Sequence, residues 1–205
     1  TFSTTGTITP VISPTGALGE LLQFIDSAQS NIHVHVYQLY SAEIVFALKS
    51  ALQRGVDVTV VINEPEYHWD GYDEDRQYGM ASEINDAGGT VFLIGEPLDD
   101  SAPTSPYPYF HSKIAVKDND TVWIGSGNWK SSSHPTSDYS GNREWGMIIE
   151  NSDIAEMVLQ RMEWDENPQH NHVLNYQSSM KPNGWITPSS VGDPQPYGEY
   201  TPYTG

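Results

Sequence analysis

Cysteine is absent from the 205 residues, which excludes disulfides, thiol nucleophiles and cysteine-rich zinc sites. Basic side chains are scarce: 9 Lys and Arg stand against 27 Asp and Glu, a formal charge of −18. A surface of that sign repels phosphate backbones and anionic lipids at long range and leaves few cations from which to build a local groove. It favours solubility in an extracellular, acidic or saline milieu, with the compartment itself left open. No apolar run approaches the roughly 18 residues that a membrane helix needs. No basic stretch followed by an apolar one marks a signal peptide. The first residue is Thr1, as expected of a processed chain or one cut from a longer polypeptide.

What is present suffices for one core, since 37% of the residues are hydrophobic. Leu18, Leu21, Leu22, Ile25 and Ala28 recur at helical spacing. Residues 31–40 alternate as a strand does. Ser41 is placed to cap a second helix burying Val45, Leu48 and Leu52, with an exit at Gly55. A buried strand over 56–62, a helix over about 75–87 and a strand over 90–94 follow. That alternation implies parallel pairing with right-handed crossovers. Two short strands, 113–116 and 121–124, are then joined by a turn, and a strand over 145–149 precedes a helix capped by Ser152. The fold class expected is α/β, a mixed sheet flanked by helices on both faces. Residues 64–75 are acidic and read as a loop. Residues 1–170 read as the lobe, and the Pro/Gly/Tyr-rich residues 171–205 as a tail or linker.

Chemistry concentrates in HSKIAVKDNDTVWIGSGN, residues 111–128. His111 and Lys113 are two apart at a strand start, so they share a sheet face. Ser126 and Asn128 are two apart just beyond the partner strand. The hairpin therefore gathers an imidazole, an ammonium, a hydroxyl and an amide. Histidine can attack phosphorus, while lysine and asparagine bind and neutralise the equatorial oxygens.

The spacing H-x-K-x4-D-x6-G-S-x-N is met without a gap by His111, Lys113, Asp118, Gly125, Ser126 and Asn128. It resembles the signature of the phospholipase D superfamily, and the likeness extends over roughly residues 8–165. The resemblance implies a phosphodiester hydrolase that uses no metal or organic cofactor. His111 would form a phosphohistidine, Lys113 and Asn128 would bind the phosphate, and Ser126 would be a further donor. Glu144, in Asn142-x-Glu144, would bond the imidazole and select its tautomer. Asp118 and Gly125 would be structural. The substrate is left between a phospholipid and a nucleic acid.

The family needs two such motifs facing one another, one imidazole attacking and the other protonating the leaving oxygen. Only one is present. Either two copies form a homodimer, the alternative being an endonuclease that acts so, or a second lobe completes the site, which the linker-like tail slightly favours. A non-catalytic binding half of a two-lobe protein is the alternative of another class, although it fits poorly with an intact motif.

Weaker signals remain. His33 and His35 share a strand face but lack an obvious third metal ligand, so a polar lining is favoured. Asp70, Asp73 and Asp75 miss the spacing of a calcium loop. His134 fits the mouth of a cleft or plain surface. Tyr107, Tyr109 and Trp129 could pack on acyl chains or stack on bases.

Overall fold

A computed structural model describes residues 5–65, 71–95, 107, 109–170 and 173–188. One mixed sheet runs through it. Its strands in chain order are β1 (Thr7–Ile12), β2 (Asn31–Val36), β3 (Asp57–Asn63), β4 (Thr90–Ile94), β5 (Lys113–Lys117), β6 (Thr121–Gly125), β7 (Trp145–Glu150) and β8 (Leu174–Asn175). Their spatial order is β1-β7-β6-β5-β2-β3-β4-β8. β2, β3 and β4 are parallel, and every other neighbouring pair is antiparallel. The helices are α1 (Ala17–Asp26), α2 (Ala42–Gln53), α3 (Gly71–Asp86) and α4 (Ser152–Asp165).

The helices take both faces of the sheet, as the sequence patterning predicts. α1, α2 and α3 close one face, where Leu21, Ile25, Ile44, Leu48, Met80 and Ile84 meet Val34, Val36 and Ala115. Fully burying a side chain of this size contributes about 2 kcal/mol. α4 closes the other face, where Ala155, Leu159 and Met162 meet Val116 and Val122. The side chain of Ser41 caps α2 by accepting from Ile44 N at 3.4 Å. Gly55 makes the exit with φ 88°, a left-handed conformation that costs glycine little.

Three local expectations are corrected. Asp73 and Asp75 belong to the beginning of α3 rather than to a loop, because acidic side chains in a first turn favour the positive end of the helix dipole. Asp70 lies outside the described residues. The cap of α4 is Asn151, whose side chain accepts from Ile154 N at 3.0 Å, and not Ser152. β1 adds an edge strand unmarked by the sequence patterning; it carries Pro10, which an edge tolerates. Residues 173–188 pack on the lobe. β8 pairs with β4, and Tyr176 is buried. Trp185 covers Gly79 so closely that a Cβ there would clash with the indole ring.

Candidate active site

The chain crosses from β2 to β3 and β4 on one side and returns through β5, β6 and β7 on the other. β2 therefore stands where the strand order reverses, and ligands of open α/β sheets sit at the carboxyl ends of such strands. The motif converges on that spot. β5 pairs with β2, Lys113 opposite Val36, and Tyr37 N donates to Ser112 O at 2.9 Å, which carries the pairing toward His111. The turn of the β5–β6 hairpin holds Asp118 and Asn119 at φ 53° and 59°, left-handed values that Asp and Asn tolerate. The Asp118 carboxylate accepts from Gln29 N and Ser30 N, tying the hairpin to the residues entering β2. Burial opposes its charge, but these donors hold its pKa below the ordinary value.

His111 is exposed, its ring 4.7 Å from that of Tyr37. Lys113 is buried, and its Nζ lies 2.9 Å from both Nδ1 and the carbonyl O of His111 and 5.2 Å from the Tyr37 ring centroid. Burial lowers the Lys113 pKa to about 8; Glu144 opposes the shift and Lys130 adds to it. Asn128 Nδ2 donates to Gln38 Oε1 at 2.9 Å, and Lys130 Nζ donates to the same oxygen at 2.8 Å. Gln38 thus presents its oxygen to two donors, which fixes the orientation of both amides. One N–H of Asn128 is left for a ligand.

Glu144 is not bonded to the imidazole as the resemblance implies. Its carboxylate accepts from Ser126 Oγ at 2.6 Å, Ser133 Oγ at 3.1 Å and Asn142 Nδ2 at 3.3 Å. Ser126 Oγ in turn accepts from Trp145 N at 3.1 Å. Gly125 ends β6 opposite Gly146. The structure therefore brings His111, Lys113 and Asn128 together with Gln38, and groups Ser126 with Glu144 beside them.

Gln38 and Lys130 are outside the motif and were not singled out from the sequence. The available signal was the polar Gln38 just beyond the buried strand β2, and a lysine two residues after the motif in a chain poor in cations. His134 is buried, not at a cleft mouth. Its Nδ1 lies 2.9 Å from Asn128 O, and burial lowers its pKa to about 4. Trp129 is fully buried, and Tyr107 packs on Phe110 and donates to Asp165 at 2.9 Å. Of the three aromatics considered for ligand contact, Tyr109 alone is exposed.

His33 and His35 face α4. Glu166, the residue capping its C-terminus, stands 2.9 Å from His33 Nδ1 and 3.1 Å from His35 Nε2. Among the described residues, no group of three or more His, Asp or Glu is arranged to hold a metal.

Residues 21–166 match the family model described as "Cardiolipin synthase, PLD-like domain". The chain belongs to this family, within the phospholipase D superfamily. Among solved structures, it resembles Nuc, a phospholipase D family member from Salmonella typhimurium, at 26% identity and TM-score 0.67, over 85% of this chain and 100% of that one. NucT from Helicobacter pylori shares the fold at 16% identity and TM-score 0.65, over 84% and 100% of the two chains. Polyphosphate kinase from Porphyromonas gingivalis shares it at 13% identity and TM-score 0.56, over 79% of this chain and 26% of that one. A search of curated proteins finds no match.

Proposed function

We propose that this chain is the catalytic lobe of a phosphodiesterase in which Nε2 of His111 attacks phosphorus. The observation that carries the reading is the convergence of His111, Lys113 and Asn128 beyond the carboxyl end of β2. A P–N bond forms as the P–O bond to the leaving group breaks, and the leaving oxygen takes a proton from a second imidazole. Water then attacks the phosphohistidine, gives its proton back to that imidazole and releases the phosphomonoester. Lys113 and the remaining N–H of Asn128 neutralise the oxygens of the transition state.

The contact between Lys113 and His111 supplies a tautomer switch. While the ammonium donates to Nδ1, the neutral ring carries its proton on Nε2, where no lone pair is available for attack. A phosphate drawing Lys113 Nζ onto its own oxygens frees Nδ1 to be protonated and Nε2 to attack. Substrate arrival and activation of the nucleophile are then one event.

On this reading a second copy or a second lobe supplies the other imidazole, since among the described residues none is placed beside His111. His134, buried and with a pKa of about 4, holds no proton to give at neutral pH. His33 and His35 are engaged by Glu166. The surface beside the site suits docking. Ile124, Trp145 and Met147 are exposed and, with Pro10 and Ser126, line a depression of about 520 Å³. Ser126 belongs both to this depression and to the hydrogen bonds of Glu144.

The test is turnover of bis(p-nitrophenyl) phosphate, single-stranded DNA and a choline lipid, each with chelator present. A denatured intermediate should carry phosphate that is labile to acid and stable to base. His111→Ala should lose both turnover and adduct. Undiminished turnover by that variant, or full loss with chelator, would overturn the mechanism.

A further inference from the structure

Three of the nine Lys and Arg of this acidic chain lie in one row. Lys113 stands over the Tyr37 ring at 5.2 Å, Lys130 over the Tyr40 ring at 5.9 Å, and Arg76 over the same Tyr40 ring at 5.1 Å. Tyr40 is buried beneath the latter two, and its hydroxyl accepts from Gln38 Nε2 at 3.3 Å. Arg76 is offset by Asp73 at 3.6 Å. Lys130 has no carboxylate within ion-pair distance among the described residues, although acids outnumber bases threefold. Its neutral partner, the Gln38 oxygen, takes one of its three N–H groups. Burial chiefly lowers the Lys113 pKa, and the like charge of Lys130 adds to that shift, so the two ammoniums repel one another. Such an arrangement is strained without an anion and relieved by one.

Resting on the phosphodiesterase reading above, we propose that Lys130, seated on Gln38 and Tyr40, binds a second phosphate next to the scissile one and makes the substrate a single-stranded nucleic acid. One phosphate on Lys113 and Asn128 and the next on Lys130 are what successive backbone phosphates supply; a choline lipid has only one. Surface character separates the two flanks of the site. The large exposed aliphatic groups near it, Ile124 and Met147, lie on the β6–β7 flank. On the other flank Lys130 and Arg76 stand over the buried ring of Tyr40. The row also reconciles a net charge of −18 with a polyanionic ligand. Long-range repulsion keeps non-specific binding weak, and a short track of cations restores affinity only at the reacting phosphates.

The experiment measures binding of dithymidylate TpT and of its derivatives carrying a phosphate at either end, using the full chain at low salt. The terminal phosphate should tighten binding by about tenfold. Lys130→Met should remove that advantage, and Lys130→Arg should retain most of it. Circular dichroism and the melting temperature report whether the variants are folded. If wild type binds TpT but neither terminal phosphate tightens it, or if Lys130→Met keeps the full advantage, the second-phosphate site is wrong and the phosphodiesterase reading stands. If wild type neither binds nor cuts TpT, both fall. Preferential binding of diphosphatidyl-lipid vesicles with the same dependence on Lys130 would overturn the nucleic-acid assignment.

Discussion

Nζ of Lys113 lies 2.9 Å from Nδ1 of His111, the imidazole atom that the family resemblance assigns to Glu144. On the proposed mechanism, this contact couples charge on the lysine to readiness of His111 as nucleophile. Burial holds the Lys113 pKa at about 8, and Lys130 pushes in the same direction. The ammonium must be charged to bind phosphate. Activity should therefore fall as pH rises through about 8. Lys130→Met removes a like charge, so the alkaline limb of kcat/KM should move to higher pH. An unchanged limb in that variant would show that another group sets it.

Glu166 should set the pH dependence of stability. Burial raises its pKa, but its bonds to His33 and His35 outweigh this and lower it to about 2. Its contribution is therefore complete above the ordinary value of 4.5 and is lost as pH falls toward 2. The pKa of His33 is raised above 6.5 because the bond and charge of Glu166 outweigh burial. That contribution is complete below 6.5 and is lost as pH rises through the folded value. The melting temperature should thus be highest between pH 4.5 and 6.5. Glu166→Ala leaves two imidazoles without their partner. It should cost about 3 kcal/mol and flatten the profile in thermal melts.

Much of this was legible in the sequence, and what was not has identifiable causes. The order of the central strands followed from alternation and turn residues, because the buried faces of β2, β3 and β5 impose a regular pattern. The contact of His111 with Lys113 was legible because a two-residue spacing in a strand fixes which side chains share a face. Glu166 was not, because it meets His33 and His35 through packing of α4 across 131 or more residues. Lys130 escaped for a similar reason: its partner Gln38 is 92 residues away. The misread start of α3 and the unforeseen packing of residues 173–188 share another cause. Acidic and Gly/Pro-rich composition describes solvation and breaks in periodicity, and does not exclude docking by one indole.

That indole yields a stability prediction. Trp185 donates from Nε1 to Glu83 at 3.0 Å, and Glu83 also pairs with Lys49 at 2.6 Å. Trp185→Ala should cost about 2 kcal/mol, a fall of roughly 6 °C in melting temperature. Gly79→Ala should produce a similar loss, because its Cβ displaces the ring. Cutting the chain after residue 170 should destabilise it at least as much. A truncated chain that melts with wild type would show that residues 173–188 add nothing to the lobe.

The remaining prediction concerns the surface around Trp145 and Met147. Exposed at 64% and 43%, they flank the strand end that carries Ser126. If two copies complete the site through this surface, activity should rise with protein concentration, and sedimentation should detect the dimer. Met147→Asp should then abolish both, since a carboxylate buried at an apolar interface is costly. Mixing wild type with His111→Ala adds a second criterion. A mixed dimer has one imidazole in the shared site and is inert, so the variant should suppress wild-type activity beyond dilution. Activity that follows the wild-type fraction, in a chain that sediments as a monomer, would exclude the homodimer. Met147→Asp would then be expected to impair docking of a separate lobe, measured by restoration of activity when that lobe is added.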